Sequence, residues 1–425
     1  MAITTSLKFT TSSLLLLLFI ILTVLQVHSI THWQDIQVLE DFNNAVSPNS
    51  VSPGSCLSSW DFKLDPCDNL YSDTFTCGFR CDAIISNASR VTELALDQAG
   101  YSGTLSPNLN LPYLETLDIS NNFFTGPIPN SFSNLTRLKK LSFSRNSFTN
   151  SVPESIGSLI NLEELSLDNN NLRGTIPFAL NGLKNLKRLE LQSNDLTGEF
   201  PELTQLNQLV YLDASHNAIS GNIPLHFPPS VIEIIMRNNQ IQGKIPENLL
   251  ANLSSLQVLD LSHNQLTESI PPSLFTHPTL QQLILSDNNL QTIQSPVDGN
   301  YQNNLIEIDL SNNNIHGFLP GLMGRMPKLS ALSLENNKFS GMIPTQYAVK
   351  VVFPETGTVP FQRLMLGGNY LLGGIPGPLT GLKAGSVNVN LGDNCLYRCP
   401  AIFFFCLSGS QKTFTECKNF GPIIP

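Results

Sequence analysis

Charge is what this chain has least of. Of its 425 residues only 13% are Asp, Glu, Lys or Arg, about half of the roughly 25% usual in a soluble domain. The 23 basic residues form no cluster, and 33 acidic ones outnumber them, giving a net charge of −10 and a pI near 5.2. A nucleic-acid binder needs basic clusters to neutralise phosphates, so that class is excluded. Long apolar runs are missing after the first 29 residues. The longest late one, residues 401–407, has 7 residues, far below the roughly 20 that cross a bilayer. Cysteine is absent from the 313 residues between Cys81 and Cys395. No G-x-S-x-G elbow and no phosphate loop with its lysine occurs. Against these absences stand 66 Leu and 43 Asn. Leu and Ile recur along the whole chain, so it can bury a core, and disorder is excluded. Length alone would suggest two or three domains, unless a repeat overturns that prior.

Residues 1–29 carry the marks of a secretory signal. Lys8 supplies a weakly positive start, residues 14–25 an apolar stretch, and Val27-His28-Ser29 a cleavage site. An uncleaved membrane anchor is the alternative, but residues 12–27 are 16 in number and include Thr23 and Gln26, short of a full span. The tail after residue 417 lacks the apolar stretch of a lipid-anchor signal. The expected location is therefore secreted, outside the cell or in its wall. All eight cysteines sit near the two ends: Cys56, Cys67, Cys77 and Cys81, then Cys395, Cys399, Cys406 and Cys417. Cys77-x3-Cys81 and Cys395-x3-Cys399 fit a zinc-ligand spacing. In a secreted chain, even clusters read better as disulfides, and neither metal nor cofactor is expected. Pairing within each cluster leaves nine connectivities, among which spacing does not choose. Asn87, Asn134 and Asn252 each begin an N-x-S/T triplet and are the candidate glycosylation sites.

A repeat does overturn the length prior. Leu114-x2-Leu117-x-Ile119-x2-Asn122-x-Phe124-x-Gly126-x-Ile128-Pro129 recurs with Asn at 146, 170, 194, 217, 239, 264, 288, 313, 337, 369 and 394. An earlier copy (Val91, Leu94, Leu96) has Ala99 in the Asn place, which makes 13 units, mostly 22 to 25 residues apart. Each L-x2-L-x-L stretch predicts a short strand whose alternate side chains point inward. Stacked units share an interior that no single one could close. The Asn amide can donate and accept where the turn strips backbone groups from the ladder. Gly allows the tight backbone that follows, and Ile-Pro fixes an extended segment. The expectation is an α/β solenoid: a right-handed leucine-rich-repeat superhelix of about 13 repeats with a parallel concave sheet. Repeats would fill residues 91–393. Cysteine-stapled caps would cover both ends, over 30–90 and 394–425, the first starting with a helix that carries Ile36, Leu39, Phe42 and Val46.

The L-x-G-x-I-P ending resembles the plant-specific class of leucine-rich repeats. That class occurs in extracellular parts of receptor-like kinases, in receptor-like proteins and in polygalacturonase-inhibiting proteins. Leu57-Ser58-Ser59-Trp60 and Asp65-Pro66-Cys67 also look like the N-terminal cap of that group. Two departures stand out: no membrane span follows the repeats, and neither H-R-D nor D-F-G of a kinase occurs. The polygalacturonase inhibitors lack both as well, but typically have fewer repeats.

The resemblance implies that partners bind on the concave strand face or its flank. Outward strand positions lie six, four and two residues before each repeat Asn. Small or acidic residues fill most of them. Tyr211, Ile235, Arg237, Val258, Gln282 and Ile284 break the rule in consecutive middle repeats and form the candidate ligand-binding patch, because aromatic, Arg and aliphatic groups together make interface hot spots. Lys140, Glu164, Arg188 and Glu233 read as a cross-strand charge ladder. The period breaks twice, after Asn288 at Asp298-Gly299-Asn300-Tyr301, and again by about eight extra residues around 347–360; both read as loops. His216 and His263 fall two strands apart, roughly 10 Å, too far to share a metal at about 2 Å per bond. No catalytic residue is assigned. The expected function is recognition of an extracellular peptide, protein, receptor-kinase or wall partner, by association alone. Two alternatives are an inhibitor of microbial wall-degrading enzymes and a structural wall protein; the proline-rich tail expected of the latter is absent.

Overall fold

The computed structural model describes residues 30–295, 304–397 and 399–418. The leader and the expected loop at 298–301 lie outside them. The L-x2-L-x-L runs form three-residue strands, from Glu93–Ala95 and Thr116–Asp118 to Asn388–Asn390. They join one sheet of 14 strands; setting aside Phe79–Arg80, which pairs antiparallel at the N-terminal end, 13 parallel strands remain, one for each expected repeat. The central residues stack in register, Leu141 on Leu165 and Leu189, then Leu212, Ile234 and Leu259. All are buried and belong to a single core running the length of the solenoid. Each such side chain contributes about 1.5–3 kcal/mol by leaving water.

The repeat Asn knits neighbouring turns together. Asn264 is representative: its Oδ1 accepts from the Ile241 amide of the preceding repeat at 3.0 Å, while its Nδ2 donates to the carbonyls of Met236, Leu261 and Ser262 at 3.0–3.1 Å. The same pattern recurs at Asn146, Asn194, Asn288 and Asn337. The residue just before the Asn has positive φ: Asn121, Asn169, His216, Asn238, His263, Asp287, Asn312 and Asn336 lie between +51° and +55°. That left-handed region favours Asn, Asp, His and Gly. The richness in Asn thus has two structural causes, one at each of two adjacent positions.

After the turn, segments such as Phe123–Pro127, Ser147–Asn150 and Asn171–Gly174 pair parallel in a second sheet. Gly126 there has φ +84°. Pro129, Pro153 and Pro177 then precede the 3-10 helices Asn130–Asn134, Glu154–Ser158 and Phe178–Gly182.

The ends are closed as expected, with the connectivity now resolved. Cys56 pairs with Cys77 and Cys67 with Cys81; Cys395 pairs with Cys417 and Cys399 with Cys406. The N-terminal cap opens with the helix Trp33–Ala45, which buries Val38, Leu39 and Phe42. Its buried Asp35 takes Arg90 bidentately, at 2.7 and 3.0 Å, and also accepts from the Val91 amide at 2.9 Å. This ties the cap helix to the first repeat.

One expectation is corrected. The extra residues around 347–360 do not form only a loop: Thr345–Val352 is an α-helix. Tyr347, Ala348 and Val351 fall on one helical face and are buried, the spacing that a helix needs to dock on a core. Lys350 is buried beside them, donates to the Met326 carbonyl and holds its ammonium 5.2 Å from the Phe361 ring centre. Burial lowers its pKa to about 8.

The concave face as a candidate binding surface

Strand register decides which outward side chains meet. One column runs Tyr211, Glu233, Val258, Gln282, Glu307; the next runs Asp213, Ile235, Asp260, Ile284, Asp309. The structure therefore brings Tyr211, Ile235, Val258, Gln282 and Ile284 onto four consecutive strands. All five are half-buried, and Arg237 is exposed in the turn that follows Ile235. At about 4.8 Å between strands, the five form one contiguous patch.

Tyr211 is the most firmly held of them. The Arg188 guanidinium lies 3.9 Å from its ring centre, a cation–π contact. Arg188 is itself fixed by Glu190 at 2.7 Å, and Glu190 accepts from Ser166 at 2.7 Å. Burial, with the nearby Asp213 charge adding to it, pushes the Tyr211 hydroxyl up to about 12. It stays neutral across the physiological range and presents an aromatic surface rather than a charge.

The charge ladder is corrected. Glu164 does sit between Lys140 and Arg188 in the register, but the Tyr211 strand separates Arg188 from Glu233. The ion pairs run elsewhere, Lys140 with Asp118 at 2.9 Å and Arg188 with Glu190. An acid on the same or the preceding strand offers the long cationic side chains a closer partner. Asp118 is held below its usual pKa by its bonds from Lys140 and Ser120, which outweigh its burial. Toward the C-terminal end, Arg363 reaches across the small Ala331 to pair with Glu307. Glu335 bonds Asn390, and burial raises its carboxyl.

Sequence reasoning treated the aspartates of the second column as background. The structure gives them a role. Ser262 donates from both its amide and its hydroxyl to Oδ1 of Asp260, and Ser311 does the same to Asp309. Asp213 and Asp260 are over nine-tenths buried. The signal was the D-x-S spacing, which repeats at 213, 260 and 309. His216 and His263 are turn residues: His216 bonds Asn238 at 2.8 Å, and His263 approaches Asp287 at 3.5 Å. Among the described residues, no group of three or more His, Cys, Asp or Glu could hold a metal ion. Asn87 lies at the tip of the hairpin between Ala83–Ile85 and Ala88–Arg90, Asn134 ends a 3-10 helix, and Asn252 lies in a turn; all three are exposed.

The family description "Leucine-rich repeat region" matches residues 108–337, over half the chain, within the array of stacked strands and Asn turns. The chain belongs to the leucine-rich repeat family. Among leucine-rich repeat relatives, it is 31% identical over 210 residues to Receptor-like protein 39 of Arabidopsis thaliana, covering 45% of this chain and 24% of that protein. It is 38% identical over 108 residues to lumican of Gallus gallus, covering 25% of this chain and 31% of that one. The chain thus spans about a quarter to a third of these relatives' length. Among solved structures it is similar to the plant peptide hormone receptor RGFR1 in complex with RGF2, at 29% identity and TM-score 0.64, covering 72% of this chain and 48% of that one. Similarity to the TDR receptor reaches 26% identity and TM-score 0.61, covering 69% and 54%. No helix among the described residues is long and apolar enough to cross a membrane.

Proposed function

We propose that this chain is an extracellular recognition module that captures a peptide or protein partner on the concave face and acts by association rather than catalysis. The observation that carries this reading is the contiguous patch of Tyr211, Ile235, Val258 and Ile284 on neighbouring strands of an otherwise acidic and serine-lined sheet. Partly covered apolar groups, set among polar ones and anchored by a stacked Arg188–Tyr211 pair, are what an interface needs at its centre. Two further observations support this reading. Its solved neighbour RGFR1 is described as a peptide hormone receptor in complex with RGF2, and the four disulfides suit an oxidising compartment.

The test is affinity capture from plant cell-wall extracts with the wild type and with a variant carrying Tyr211→Ser, Ile235→Ser and Ile284→Ser. Capture of a defined partner should fall at least about tenfold, the effect of losing about 1.4 kcal/mol at a hot spot. The melting temperature should stay nearly constant, because the three side chains are only half-buried. Unchanged capture would remove the patch from the interface.

A further inference from the structure

The second column alternates acid and aliphatic: Asp213, Ile235, Asp260, Ile284, Asp309. Strands lie about 4.8 Å apart, so successive aspartates recur every ~9.6 Å along the solenoid. They are too far apart to share a cation, but they form a ruler. Asp260 and Asp309 hold their turns through Oδ1 alone, where Ser262 and Ser311 donate, which leaves their second oxygen without a protein donor among the described residues, whereas Oδ2 of Asp213 accepts from the Tyr211 hydroxyl at 3.4 Å. Asp260 is 7% exposed, and a carboxylate oxygen so placed favours a cationic hydrogen-bond donor. The ten positions of the two columns hold five carboxylates and no base; among the described residues only Glu307 has an ion-pair partner, Arg363.

Resting on the reading above, we propose that the partner's contacting segment is a cationic, proline-rich peptide in the polyproline II conformation, lying along the solenoid with Lys or Arg at every third residue. Polyproline II repeats every three residues and rises about 3.1 Å per residue, so like side chains return every ~9.3 Å. That step follows the ~9.6 Å ruler within a few tenths of an ångström, and the concave curvature draws side-chain tips closer still. A β-strand returns a side chain to the same face every ~6.8 Å and falls out of step at once. Two turns of α-helix, ~10.8 Å, overshoot. The cations would meet Asp213, Asp260 and Asp309, while the intervening prolines would cover Ile235 and Ile284. Tyr211 and Val258 would flank them from the neighbouring column. A conformation with no internal hydrogen bonds and little entropy to lose suits a shallow face, since less freedom is given up on binding.

The test uses two synthetic twelve-residue peptides of equal composition, (Lys-Pro-Pro)4 and a control with two lysines at each end of eight prolines, measured by fluorescence anisotropy. The periodic peptide should bind at least about tenfold more tightly. Single substitutions Asp213→Asn, Asp260→Asn and Asp309→Asn, which retain an Oδ1 acceptor for the turn, should each weaken it about threefold and the triple variant about thirtyfold. Rising salt should weaken binding in the wild type more than in the triple variant. Equal binding of the two peptides, or an unchanged triple variant, would overturn the inference. The patch variant of the preceding section separates the two ideas. If that variant loses its natural partner while the peptides show no periodic preference, the partner chemistry is wrong and the recognition face stands. If capture is unchanged, both fall.

Discussion

The Asn ladder makes a quantitative prediction at Asn264. The substitution Asn264→Ala removes four hydrogen bonds, but they are unequal. The Met236 carbonyl keeps a donor from Asn239, the Leu261 carbonyl from Asn288, and the Ser262 carbonyl from the Asn238 amide. The Ile241 amide has no other acceptor among the described residues, and Ile241 is 1% exposed. One buried N–H is thus orphaned, at about 1–3 kcal/mol, and three shared bonds weaken. The expected loss is about 2–4 kcal/mol, a large part of a usual stability of about 5–15 kcal/mol. Because repeats couple only to their neighbours, the loss should be local.

Two assays read it. Urea denaturation should move to lower midpoint, and hydrogen exchange at the Ile241 amide should accelerate well beyond that of amides several repeats away. Asn264→Asp sharpens the test through pH. The acceptor is kept, but the introduced carboxylate faces three carbonyl oxygens in a buried turn, so its folded pKa lies above the unfolded value near 3.9. A carboxyl with raised folded pKa destabilises above the unfolded pKa and is neutral below it. The variant should therefore approach wild-type stability near pH 4 and fall furthest behind near pH 7. A loss below about 1 kcal/mol for Asn264→Ala, with unchanged exchange at Ile241, would refute the ladder as a source of stability.

Three further outcomes follow from single contacts. Asp35→Ala should cost about 3–5 kcal/mol, because it strands the buried Arg90 guanidinium, whereas pairing it with Arg90→Met should restore most of the loss; calorimetry on the two variants decides this. Lys350 titrates near 8 when folded against 10.5 in the open chain, so the unfolded state binds more protons between those values and stability should rise with pH across that window; Lys350→Met should abolish the slope. Ile235→Asp would set three carboxylates in adjacent register with Asp213 and Asp260, destabilising the fold by about 1–2 kcal/mol at pH 7 and much less at pH 4, whereas Ile235→Ser should leave the urea midpoint almost unchanged.

Much of the fold was legible because the period is. A Leu at each inward position and an Asn at each turn permit only a stacked interior, and the register of 13 parallel strands follows. What was not legible depended on contacts between repeats. The helix Thr345–Val352 carries the apolar spacing of a docked segment, but a buried Lys350 within it disguises the pattern, and its acceptor, the Met326 carbonyl, belongs to the previous repeat. The charge ladder failed for a similar reason. The expected ladder followed one column and skipped the Tyr211 strand, yet Lys140 and Arg188 chose Asp118 and Glu190, which stand in the adjacent column. Disulfide partners within each cluster were set by how the caps fold, since the spacings alone fit several pairings.

The same comparison bears on how the candidate site is to be weighed. Ile235 and Ile284 have a reason to exist without any partner, since each separates two aspartates that would otherwise lie about 4.8 Å apart in the register. A spacer role requires only an uncharged side chain, and serine occupies that place in other repeats, at Ser142, Ser166 and Ser333. Serine would also save the cost of leaving an aliphatic group partly wet. The choice of isoleucine over serine on two of these strands, beside a tyrosine clamped by Arg188 on a third, is therefore unexplained by charge separation and accounted for by an apolar contact. This is why Ile235→Ser and Ile235→Asp are not interchangeable experiments. The serine variant removes the contact while keeping the separation, and the aspartate variant removes both. Loss of capture in the serine variant at unchanged stability assigns the side chain to a partner; loss of stability in the aspartate variant alone assigns it to the sheet.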